Sequence, residues 1–92
     1  MKFTIENYIK QHNLTIENFD YQEIDNAINL IKKTAENGKR IAVCGNGGGA
    51  VAASHYITDW NKMVYSHTSL KFNGICLSDN VGSITAYSND LS

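Results

Sequence analysis

Cysteine is scarce in this chain and proline is absent: two of the former and none of the latter occur among 92 residues. Two cysteines do not make a disulfide framework. Cys44 and Cys76 both lie in apolar, strand-like runs and are expected to be small buried residues. An excess of either charge is also missing, with 8 Lys+Arg against 9 Asp+Glu. That balance argues against nucleic acid as a direct partner, because binding the phosphate backbone needs a basic surplus. No apolar run approaches the roughly 18 residues of a membrane span. The opening Met1–Lys10 is interrupted by charge and lacks the apolar core of a signal peptide. A cytoplasmic chain without a membrane segment is the expectation. The length allows one domain with a modest core.

The first twenty residues, expected to be a helical segment apart from the main domain, contain a near-repeat. Phe3-Thr-Ile-Glu-Asn-Tyr8 returns as Leu14-Thr-Ile-Glu-Asn-Phe19. Two copies do not make a solenoid, but each threonine is a candidate N-cap for a short helix. Asp20–Glu36 predicts a stronger helix. Asp20 is placed to cap it, with Glu23 three residues on. Ile24, Ala27, Ile28, Ile31 and Ala35 form one apolar stripe. Asn37-Gly38 supplies the left-handed residue that stops it.

Ile41–Cys44 is continuously apolar, the pattern of a strand buried on both faces. It runs into Gly45-Asn-Gly-Gly-Gly49 and then into Ala50–Met63, rich in helix formers. Ala53, Tyr56, Ile57, Trp60 and Val64 fall on one helical stripe and are expected in the core. Residues 65–73 read as a loop, Gly74–Ser78 as a second strand, and Asp79-Asn80 as the cap of a third helix. The alternation predicts a parallel sheet with right-handed crossovers. Two strands do not complete such a sheet, so the chain is expected to be the N-terminal portion of a larger α/β domain, with residues 21–92 supplying its first two strands and their helices.

The glycine loop carries the most chemistry. Glycines let the backbone approach a ligand, and the helix behind them presents free N–H groups and the positive end of its dipole. Together these suit a phosphate or another anion. A ligand-free strand-to-helix turn is the plain alternative. The loop is not a P-loop, since Gly-Lys-Ser/Thr is absent. Gly45, Gly47 and Ala50 do match the dinucleotide pattern Gly-x-Gly-x-x-Ala, but no acidic residue follows at the ribose-binding distance. His55 and Asp59, four apart on one helical face, have the spacing for a shared metal ion and equally for a surface pair. His12 and His67 are expected to be solvated.

Val43-Cys-Gly-Asn-Gly-Gly-Gly-Ala50, Ala53-Ser-His-Tyr56 with Asp59, Ile75-Cys-Leu-Ser-Asp79 and Asn89-Asp-Leu91, in that order, closely resemble the sugar isomerase (SIS) family, and within it the phosphoheptose isomerases. The resemblance covers residues 21–92. It implies a flavodoxin-like α/β domain, a parallel sheet flanked by helices, assembled as a homotetramer with sites shared between subunits. It implies aldose–ketose isomerisation of sedoheptulose 7-phosphate, serving lipopolysaccharide or capsule. By the same resemblance Asn46, Gly47, Gly48, Asn89 and Asp90 are substrate-binding residues. His55 and Asp59 are zinc ligands, and Asp59 is the acid/base. The sequence departs from the family in two places: Gly49 stands where the loop normally ends in serine, and Asp59 replaces a longer glutamate. The family's Ser-rich phosphate loop and late Gln and His are not in this sequence. A partner, either further copies or a C-terminal half, is therefore implied. A non-catalytic SIS-fold binding or assembly protein is the alternative from another functional class, and a nucleotide-binding unit is a weaker third.

Overall fold

A computed structural model describes residues 2–91. The elements run α1 (Ile5–Glu17), α2 (Tyr21–Glu36), β1 (Arg40–Val43), α3 (Gly48–Thr58), a π-helical turn (Asp59–Val64), α4 (Tyr65–His67), β2 (Asn73–Cys76) and α5 (Val81–Leu91). β1 and β2 pair in parallel, with Ile41 opposite Gly74 and Val43 opposite Cys76. The α/β alternation and the parallel sheet are therefore as the sequence predicts.

Local chemistry sets the helix ends. Thr4 caps α1 by accepting the Asn7 N–H at 3.1 Å, Asp20 caps α2 by accepting from Glu23 at 3.2 Å, and Asn80 caps α5 by accepting from Ser83 at 3.0 Å. Thr15, the other candidate cap, lies inside α1, and its hydroxyl donates to the Gln11 carbonyl at 2.9 Å. The two near-repeats thus share one helix, because no glycine or proline between them breaks it. α2 stops as expected: Gly38 adopts φ +67°, its N–H reaches the Ala35 carbonyl, and the Lys39 N–H reaches that of Thr34. These two bonds form a Schellman cap.

Four expectations need correction. The helix after the glycines starts at Gly48 and changes to a π turn at Asp59. Residues 65–67, expected as loop, form a helical turn, and β2 spans Asn73–Cys76 rather than 74–78. His67 is exposed, as expected, with its Nδ1 2.9 Å from both Ser66 Oγ and the Met63 carbonyl. Cys44 is exposed and Cys76 only half-buried. A parallel strand is fully buried only when neighbours flank it and helices cover both faces, and this sheet is two strands wide.

The core lies where α3 crosses the sheet. Ala53, Ile57, Phe72 and, from α2, Ala35 are its buried apolar residues. Trp60 stacks between Tyr56 and Phe72, with ring centroids at 5.9 and 5.7 Å. Tyr56 itself stays exposed, as do Ile24 and Ile28 on the α2 stripe. The mismatch is one of length. A 16-residue helix runs about 24 Å, whereas a four-residue strand offers about 13 Å. α1 and α5 bury no residue at all.

These uncovered faces leave the chain open in shape. Its radius of gyration is 17.7 Å, where a compact domain of this length would have about 12 Å. Its accessible surface is 7528 Å², against about 5,300 Å² for a compact monomer of this mass. The excess, roughly 2,200 Å², is the area of a full protein–protein interface. We expect light scattering at micromolar concentration to return a mass above the 10.2 kDa of one chain. A cooperatively folding monomer of that mass would contradict this.

Candidate functional site

The glycine loop sits at the carboxyl end of β1, beside the carboxyl end of β2. This is where open α/β sheets hold their ligands. Two glycines shape it. A Cβ on Gly45 would overlap the Gly49 carbonyl and crowd the Ala50 nitrogen, so this residue lets the loop fold back against the first turn of α3. Gly47, the residue before α3, adopts φ +54° and ψ −122°, a combination essentially confined to glycine.

Not every loop amide is free. The Gly45 N–H donates to Ser78 Oγ at 3.3 Å, and the Gly49 N–H to the Asn46 carbonyl at 2.9 Å. The amides of Asn46, Gly47 and Gly48, the expected substrate-binding residues, make no hydrogen bond among the described residues. Gly47 offers no side-chain cap; the Ala50 and Val51 N–H groups bond to its carbonyl, so among the described residues Gly48 is the one donor of the first turn of α3 left free, at the positive end of the helix dipole. Cys44, Gly45, Asn46, Leu77, Ser78 and Ile84 line an open cleft of about 250 Å³ here.

His55 and Asp59 come together one turn apart, with Nε2 and Oδ2 at 3.3 Å and side chains 75% and 49% exposed. They line a separate hollow of about 310 Å³ with Ala52 and Tyr56. Among the described residues no third His, Cys, Asp or Glu joins them. A zinc site needs three or four protein ligands, so this pair does not by itself make one. Nor does the chain bring the acid to the loop. Asp59 follows Gly48 by eleven residues, about 16 Å along the helix axis.

Asn89 and Asp90 lie on the last turn of α5, where the Asn89 amide donates to the Asp90 carboxylate at 3.0 Å. Asp90 borders a groove with Ala86, Tyr87 and Leu91, not the loop cleft. A further cavity, about 870 Å³ and lined in part by Lys32, Ala35, Leu70 and Phe72, opens at the amino end of the strands. It is the uncovered end of the apolar layer and is remote from the loop amides.

Sequence reasoning gave no role to two residues. Ser78 was legible only as part of a motif, yet its hydroxyl anchors Gly45 and lies 3.4 Å from Cys76 Sγ. The available signal was its place just past β2, level with the loop in a parallel register. Asn61 clasps β2 from the π turn, which no helical spacing rule anticipates.

The SIS domain pattern matches residues 7–91. The chain belongs to the SIS domain family. It is 28% identical over 92 residues to the phosphoheptose isomerase of Campylobacter concisus (strain 13826), covering 98% of this chain and 48% of that protein. It is 33% identical over 67 residues to the phosphoheptose isomerase of Helicobacter hepaticus (strain ATCC 51449 / 3B1), covering 73% and 34%. To the lincomycin biosynthesis protein LmbN of Streptomyces lincolnensis it is 34% identical over 61 residues, covering 66% and 22%. This SIS chain thus spans about half the length, or less, of the curated relatives it matches. No solved structure matches it significantly. Among the described residues no helix is long and apolar enough to cross a membrane.

Proposed function

We propose that this SIS chain is part of a sugar-phosphate aldose–ketose isomerase of the phosphoheptose type. The substrate is sedoheptulose 7-phosphate, isomerised in the cytoplasm to supply heptose for lipopolysaccharide or capsule. The observation that carries the reading is the glycine loop at the carboxyl end of the sheet, where the Asn46, Gly47 and Gly48 amides are unengaged among the described residues and Asn46 borders an open cleft.

In the proposed mechanism the Asn46–Gly48 amides and the start of α3 hold the substrate's anionic or hydroxyl oxygens. The Asp59 carboxylate takes the proton from the hydroxyl-bearing carbon beside the carbonyl and returns it to the former carbonyl carbon, by way of an enediol, while the hydroxyl proton passes from the one oxygen to the other. A base must lie within hydrogen-bond reach of the proton it moves. At about 16 Å from the loop on its own helix, Asp59 serves a substrate held by another copy, in a tetramer whose sites are shared. Asn89 and Asp90 join the substrate only in such an assembly. Zinc enters only if further ligands come from outside the described residues, and no step is assigned to it.

The non-catalytic alternative rests on two observations. Gly49 brings no hydroxyl to the loop, and Asp59 is already engaged by His55. The deciding experiment assays sedoheptulose 7-phosphate exchange with the purified chain and measures binding of the same compound by calorimetry. Turnover supports the isomerase. Binding without turnover supports the alternative, and neither binding nor turnover defeats both.

A further inference from the structure

The side chain of Asn61 makes two hydrogen bonds to one backbone unit of β2. Its Nδ2 donates to the Gly74 carbonyl at 2.9 Å, and its Oδ1 accepts the Gly74 N–H at 2.9 Å. An adjoining strand offers a backbone the same donor–acceptor pair.

The direction of the clasp follows from the ladder. In a parallel strand the N–H and C=O of one residue point to the same side, and successive residues alternate. The Leu77 N–H donates to the Val43 carbonyl at 2.9 Å, so Leu77 faces β1. Gly74, three residues earlier, therefore faces the outer edge of the sheet. By the same count Val43 faces β2, and Ala42 faces the free edge of β1. Among the described residues no strand lies beyond β1.

The fit at Gly74 is close. A Cβ there would stand 2.8 Å from Ile57 Cδ1 and 3.0 Å from Asn61 Oδ1. Glycine lets α3 and the π turn settle low enough for the amide to reach the strand.

We infer that Asn61 takes the place of a neighbouring strand at Gly74, guarding the outer edge of β2 there, whereas among the described residues no such clasp is made at Ala42 on the outer edge of β1. Natural sheets guard exposed edges because unpaired backbone groups recruit other strands. Here the guard is a side chain delivered by a π turn.

Residue-resolved hydrogen exchange on the full chain tests this. In the parent, the Gly74 amide should exchange at least tenfold more slowly than that of Ala42, although both lie on outer edges of the same sheet. Asn61→Asp keeps the acceptor and should leave Gly74 protected. Asn61→Leu removes it and should bring Gly74 to the Ala42 rate while Leu77 stays slow. Gly74→Ala should speed exchange at position 74 by pushing the amide away. Equal Gly74 and Ala42 rates in the parent would overturn the inference, as would a Gly74 amide that stays protected in Asn61→Leu. If Asn61→Leu fails to fold, the parent contrast and Asn61→Asp decide alone.

Discussion

Gly45→Ala should weaken sugar-phosphate binding by about 100-fold. The new methyl group would overlap the Gly49 carbonyl, which is backbone and has no rotamer to escape into. Overpacking of that kind costs about 3 kcal/mol at the upper end of its usual range. Unwinding the first turn of α3 would relieve the cost and disperse the amides proposed to form the anion site. Each 1.4 kcal/mol is about tenfold in affinity, hence the expected magnitude. Two neighbours serve as controls. Nothing lies within 4 Å of a Cβ at Gly48 or Gly49. Gly48→Ala should therefore be tolerated structurally. Gly49→Ser should strengthen binding, since it places a hydroxyl beside the free amides. Calorimetry on the three variants checks this, and unchanged affinity in Gly45→Ala would remove the loop from ligand binding.

Asp59→Asn should lower turnover by about 10²- to 10⁴-fold, the usual contribution of general acid–base catalysis, with little change in binding. The separation of the two effects comes from distance: Asp59 lies about 16 Å along α3 from the amides proposed to hold the substrate. Asp59→Glu should retain or raise turnover, because the longer arm keeps the carboxylate. The proposed sharing of sites between copies gives a second readout. Mixing the impaired Gly45→Ala and Asp59→Asn chains should restore part of the activity, since some sites then pair an intact loop with an intact acid. Isomerisation assays on each variant and on the mixture check this. An Asp59→Asn chain as active as the parent would exclude the carboxylate from the mechanism. A mixture with no recovered activity would mean that loop and acid act within one chain.

What was legible in the sequence was local. Asp20, Asn80 and Thr4 cap their helices because a side chain two or three residues from an unpaired N–H needs no distant partner. Gly38 ends α2 for the same kind of reason, and the β1–glycine–α3 order follows from composition alone. His55 and Asp59 meet because residues one helical turn apart must. Tertiary structure decided the rest. Ser78 reaches Gly45 across 33 residues because the parallel register brings them level, and Asn61 reaches Gly74 across 13 because the π turn packs closely on β2. Burial was also a tertiary matter. The apolar stripe of α2 is correctly periodic, yet only Ala35 on it is buried, since a short two-stranded sheet covers one end of a long helix. Cys44 is exposed for the same reason, although its neighbours are those of a core strand. Periodicity states which face of an element is apolar; whether that face is covered depends on how many strands and helices stand beside it.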